Sequence, residues 1–125
     1  MRRKTARRKF PELYYRDNSN YYYRLWQSIQ QRCYNTNNIG YHNYGGRGIT
    51  LYEPWKTDFE SFVDYLLIQL GPKPKGYTLD RIENSGSYVP FNLRWATMET
   101  QCNNRRSKKE VLYDLLNYLA DEGLL

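Results

Sequence analysis

The chain has 125 residues, room for one modest core and not for two. The 19 Lys and Arg outnumber the 13 Asp and Glu by a net charge of +6, and Arg2, Arg3, Lys4, Arg7, Arg8 and Lys9 of MRRKTARRK account for that excess. With Cys33, Cys102 and one histidine, His42, a tetrahedral zinc site is one ligand short and a disulfide framework cannot form, and no apolar run approaches the roughly 18 residues of a membrane span.

In chain order, residues 1–19 read as a basic, flexible arm. Six clustered cations with almost no apolar content cannot fold alone, and they would release condensed counterions from a nucleic-acid backbone; a solvated tail is the other reading. Ser19 or Asn20 then caps a helix over residues 20–34, in which Tyr22, Leu25, Trp26, Ile29 and Cys33 share one face. NTNNIGYHNYGGRGI is a loop whose glycines permit positive φ, with Gly45 and Gly46 beside Arg47 suited either to a phosphate or to a tight turn before the short strand GITLY. Thr57 or Asp58 caps a second helix, with Phe59, Phe62, Val63, Leu66, Leu67 and Leu70 at helical spacing and Gly71 and Pro72 ending it.

KPKG is a turn, YTLDRI a strand, ENSGSYVP a loop and FNLRWA a second strand, after which Thr97 caps a third helix beginning TMETQCNNRR. The step RRSKK leads into residues 107–125, where Val111, Leu112, Leu115, Leu116 and Leu119 form a stripe for core packing or for a dimer, so monomer and homodimer both stand. The fold class expected is small α+β, one domain over residues 20–106 with helices around short strands, flanked by the arm and the last helix.

The order strand, loop, strand, helix brings Asp80 near the first turns of the third helix. Asp80 is a hard oxygen donor suited to Mg²⁺ or Mn²⁺, and Gln101 or Asn104 would supply a second oxygen. Asn92, opening the second strand, can brace the loop or orient a neighbouring group. The 14 tyrosines suit amphipathic packing or a surface that stacks on a partner.

The stretch DRIENSGSYVPFNLRWAT followed by QCNN resembles the HNH, or His-Me finger, nuclease motif. With WQSIQQRCYN and YGGRGI, the resemblance extends over about residues 21–106, to small phage and mobile-element proteins related to HNH homing endonucleases. It implies a ββα-metal architecture and a Mg²⁺- or Mn²⁺-dependent phosphodiesterase that nicks or cleaves double-stranded DNA, with no small-molecule cofactor; two free thiols and the lack of a long apolar run lead to the expectation of a reducing bacterial cytoplasm and no membrane. By position, Asp80 matches the metal-binding Asp, Asn92 the central Asn, and Gln101 or Asn104 the helix ligand.

The departure is Arg81, which stands where the family has the histidine that activates water. Arginine stays protonated and cannot act as a general base, although it can clamp a phosphate and stabilise developing charge. A metal-bound hydroxide, Glu83 or His42 are the substitutes available for water activation. Lys73 and Lys75 before the motif and Arg105, Arg106, Lys108 and Lys109 after it bracket the motif and, with the arm and Arg94 inside the motif, are assigned to DNA. Asn37, Asn38, Asn43 and Arg47 are the candidates for base edges. A DNA-binding protein without catalysis on the same fold is the alternative, favoured by the missing histidine. RNA binding through the tyrosines is a third reading without a matching module.

Overall fold

Helix α2, Tyr21–Tyr34, is opened by Asn20, whose side chain accepts from the Tyr22 N–H at 3.1 Å. The computed structural model describes residues 2–100, 116, 117, 119–121 and 123. Gln101, Asn104, Arg105, Arg106, Lys108, Lys109 and the stripe residues Val111, Leu112 and Leu115 lie outside the described residues. Within α2, Tyr22, Ile29 and Cys33 are buried, with Leu25 and Trp26 packed against the same core, as the spacing predicts. Asn20 also donates to the carbonyls of Leu13 and Tyr15 at 2.8 Å each, tying the preceding segment to the helix start.

Helix α4, Phe59–Tyr65, is capped by Asp58, which accepts from the Ser61 N–H and hydroxyl. It runs into one wider turn, Leu66–Leu70, and stops at Gly71, whose φ of 80° suits glycine. Phe59, Phe62, Val63, Leu66 and Leu67 are all buried. Side chains of this size each stabilise the fold by about 1.5–3 kcal/mol on full burial, so this stripe is the centre of the core. The short helix α3, Glu53–Thr57, has Pro54 in its first turn and buries Trp55 against Phe62, with ring centroids 5.7 Å apart.

The N-terminal segment differs from the arm expected of it. Arg3–Lys9 form helix α1, followed by a 3-10 turn over Pro11–Tyr14. Ala6 is 0% exposed, which requires a neighbouring surface, and α4 supplies it. Arg3 Nε donates to Asp64 Oδ2 and Arg7 Nη2 to Glu60 Oε2, both at 2.6 Å. The other Asp64 oxygen accepts from the Tyr14 hydroxyl at 2.5 Å. Six clustered cations do not fold alone; here Asp64 and Glu60 of α4 give two of them, Arg3 and Arg7, partners, and no local spacing in the sequence brings α1 and α4 together.

Strands β1, Thr78–Arg81, and β2, Leu93–Ala96, pair antiparallel in the register Thr78↔Ala96, Leu79↔Trp95, Asp80↔Arg94 and Arg81↔Leu93. GITLY contributes a single parallel bridge, Leu51↔Tyr88, in place of the strand expected there. Residues 98–100 open a helical turn, and the Thr97 hydroxyl accepts from the Thr100 N–H at 3.2 Å as a cap. The described chain is therefore a small α+β structure with a two-stranded sheet. No helix among the described residues is long and apolar enough to cross a membrane.

Candidate nucleic-acid interface

Strand alternation directs Leu79, Arg81, Leu93 and Trp95 toward one face of the hairpin and Asp80 and Arg94 toward the other. Leu93 is buried in the core and Leu79 and Trp95 pack on it. Arg81, opposite Leu93 at the loop end of the register, is carried inward and is only 7% exposed.

A guanidinium at that depth needs partners, and the loop between the strands provides them. Arg81 Nη1 donates to the carbonyls of Asn84 at 2.6 Å and Gly86 at 2.8 Å. Its ζ-carbon lies 5.2 Å from the ring centroids of both Tyr44 and Tyr88. Arg32 of α2 approaches the same rings, 4.7 Å from Tyr44 and 5.5 Å from Tyr88, and the rings themselves are stacked at 6.4 Å. Two arginines and two tyrosines thus interlock, and among the described residues neither arginine has a carboxylate partner. The π faces supply the electron density that an acid would otherwise give.

Burial pushes the Tyr88 phenol up to about 12 against the lowering effect of Arg32, so it stays protonated at neutral pH. The Cys33 thiol, near Arg32 and Arg81, is also raised by burial, which makes it a poor nucleophile.

Asn92 holds the loop from the other side. Its Oδ1 accepts from the Glu83 N–H at 2.8 Å, and its Nδ2 donates to the carbonyls of Ser87 at 2.9 Å and Glu83 at 3.3 Å. Gly86 is the counterpart of this brace, since a Cβ there would lie 2.8 Å from Asn92 Nδ2. Arg47 closes the outer side of the loop, with Nη1 3.1 Å from the Asn43 carbonyl and both terminal nitrogens 3.3 Å from Asn84 Oδ1. The glycines before it have a packing reason: a Cβ on Gly45 would meet the Cys33 carbonyl oxygen at 2.0 Å. His42 is exposed in the 3-10 turn Tyr41–Asn43, and Glu83 is exposed in the loop.

On the opposite face, Asp80 Oδ2 accepts from Arg94 Nε at 3.0 Å. Arg94 Nη2 lies 3.0 Å from the same oxygen but off the hydrogen-bonding direction, so one bond holds the pair. The two side chains are 17% and 33% exposed, Asp80 being the deeper. Of the metal ligands expected, Asp80 alone is described, and one of its oxygens is engaged by a cation. No group of three His, Cys, Asp or Glu suited to a metal ion occurs among the described residues. Any ion at Asp80 would have to compete with Arg94 for the carboxylate.

The cations expected on DNA divide into two groups. Arg3, Lys4, Arg7 and Arg8 line, with Asp64, a groove of about 560 Å³ beside α1. All six arm cations are exposed; Arg3 and Arg7 are paired with acids of α4, and Lys9 lies over the Phe10 ring. Lys73 sits with its ammonium 5.0 Å from the Tyr21 ring, its N–H bonded to the Tyr22 hydroxyl at 3.0 Å, and Lys75 is exposed. Arg47 and Arg94 are tied to Asn84 and Asp80. The Arg32, Tyr44, Tyr88 cluster has no signature in the sequence, because its members come from three distant segments with no shared spacing.

No protein-family model, curated protein or solved structure matches this chain.

Proposed function

We propose that the protein binds double-stranded DNA, using α1 as a preformed cationic ridge on the phosphate backbone and the hairpin loop as the element presented to the groove. The observation that carries this reading is the docking of α1. Ion pairs from Arg3 and Arg7 fix the helix, and Arg2, Lys4, Arg8 and Lys9 are left toward solvent on a short rigid element. Prepositioned cations neutralise phosphates at lower ordering cost than an arm would.

Binding of a labelled duplex across a salt series tests it. Replacing Arg2, Lys4, Arg8 and Lys9 with Gln lowers the slope of log K against log salt by roughly 0.9 for each phosphate that is no longer neutralised. An unchanged slope removes the assignment.

The HNH resemblance carries a second reading, metal-dependent nicking of that DNA on a ββα framework. It is favoured by Asp80 on β1, by the three-bond brace from Asn92 and by the Thr97-capped turn that follows β2. Against it stands the Asp80–Arg94 pair. Asp80 in a cationic surface suggests a metal only where nothing else neutralises it, and here Arg94 does. Incubating supercoiled plasmid with wild type and Asp80→Ala in Mg²⁺, Mn²⁺ or EDTA separates the readings. Nicking that needs metal and Asp80 supports the enzyme, and binding without cleavage under every metal supports the binder.

A further inference from the structure

We infer that Phe91 is a base-stacking wedge, a side chain whose ring is held outward to insert against a nucleobase of the bound DNA. Val89, Pro90, Phe91 and Asn92 form a turn closed by the Asn92 N–H on the Val89 carbonyl at 3.1 Å. Pro90 takes the second position, and Phe91 takes the third with a φ of 70°. That third position, in the type II manner, belongs to glycine or asparagine, because a Cβ crowds the backbone there. Among the described residues Phe91 is the one non-glycine with positive φ.

The fold draws little from the ring in return. Phe91 is 84% exposed, and its ring meets Tyr65 only edge-on at 6.4 Å. Glycine would relax the backbone and remove an exposed apolar surface, so the fold's own interest runs against phenylalanine.

Everything else about the turn fixes it in place. The Phe91 N–H donates to the Tyr65 hydroxyl at 2.6 Å, anchoring the turn to α4. Asn92 makes the loop brace, and its carbonyl accepts from the Ile82 N–H at 2.9 Å. Ile82 is itself 46% exposed, so an apolar pair stands at the loop end of the hairpin. A rigid mount, an outward aromatic and a strained backbone make a wedge, the device by which apolar side chains unstack a base step. The neighbouring cations suit a nucleic-acid partner. Arg47 is latched to Asn84 of the same loop, and Arg94 lies three residues along β2.

This inference rests on the DNA-binding reading and has a separate failure. The experiment uses the full chain, wild type and Phe91→Gly, Phe91→Leu and Phe91→Trp, with duplexes carrying 2-aminopurine at successive positions, read at low salt. Wild type raises 2-aminopurine fluorescence on binding. Phe91→Gly binds about ten-fold more weakly without the fluorescence rise, the loss expected for one stacked base. Phe91→Trp retains the rise and Phe91→Leu retains part of it. The same Phe91→Gly protein melts at an unchanged or higher temperature, by up to about 5 °C, as relief of backbone strain requires.

Equal affinity and equal fluorescence for Phe91→Gly would overturn the wedge while leaving DNA binding standing, as would binding by wild type with no fluorescence change. A lower melting temperature for Phe91→Gly would assign the ring to the fold and overturn it also. Absence of binding by wild type would remove the DNA reading and the wedge with it.

Discussion

Arginines serve two different ends in this molecule, and α1 and the hairpin loop show the contrast. On α1, Arg3 reaches the buried Asp64 and Arg7 the half-buried Glu60 from the surface, while Lys4 and Arg8 are left to solvent. In the loop, Arg81 is drawn inward, pairs with carbonyls and lies beside two tyrosine rings that it shares with Arg32. The first arrangement leaves positive charge exposed at the surface. The second uses the width and donor geometry of guanidinium to hold a loop, and net charge alone does not separate the two.

The sharpest way to break the contrast is to remove the buried member. Arg81→Ala leaves the Asn84 and Gly86 carbonyls without their donor and opens a space beside Tyr44 and Tyr88, and it is expected to cost about 3–4 kcal/mol in urea denaturation. A loss within the range of a surface substitution would mean that the loop holds itself. Asn92→Ala comes next, at about 2–3 kcal/mol, since it strips three hydrogen bonds from one loop. The accompanying sign would be faster proteolysis at residues 82–87.

Asp58→Ala measures an ordinary helix cap against these loop interactions and is expected to cost about 1 kcal/mol at neutral pH. The hydrogen bond from the Ser61 hydroxyl, first among its causes, holds the Asp58 carboxyl below the usual carboxylate range. A depressed folded-state value gives stability that is complete above the ordinary carboxylate pKa of about 3.9 and lost as pH falls through the folded value. The difference between wild type and Asp58→Ala should therefore close in acid, and a difference constant down to acid pH would point to a cause other than the charge. Smallest of all, Lys4→Gln and Arg8→Gln should each change stability by less than about 0.5 kcal/mol. A larger loss would move these two side chains from the solvent-facing group to the structural one.

Local signals carry much of the fold. Asn20, the Tyr22, Ile29, Cys33 face, the Asp58 cap and the Gly71 stop locate α2 and α4 to within a residue or two. The hairpin falls inside the two expected strands, and Asn92 does brace the loop between them. What escapes a reading of the sequence is non-local. The helical state of residues 3–9 depends on Asp64 and Glu60, some sixty and fifty positions on. The inward turn of Arg81 follows from pairing opposite Leu93 and from the approach of Tyr44 and Arg32. GITLY has the composition of a strand but forms a ladder contact at Leu51↔Tyr88 alone, so it remains a bridge, and EPWKT becomes helical where it buries Trp55. Phe91 gives no signal at all, because its φ is a property of the closed turn.

The central claim is that Arg81 is a fold residue, whereas α1 is the surface proposed to meet the DNA. The salt dependence of duplex binding by Arg81→Gln tests it most directly, measured at a temperature where the variant remains folded. The account predicts lower stability with the wild-type slope of log K against log salt retained. A slope smaller by roughly 0.9, with stability unchanged, would place Arg81 on a phosphate and contradict it.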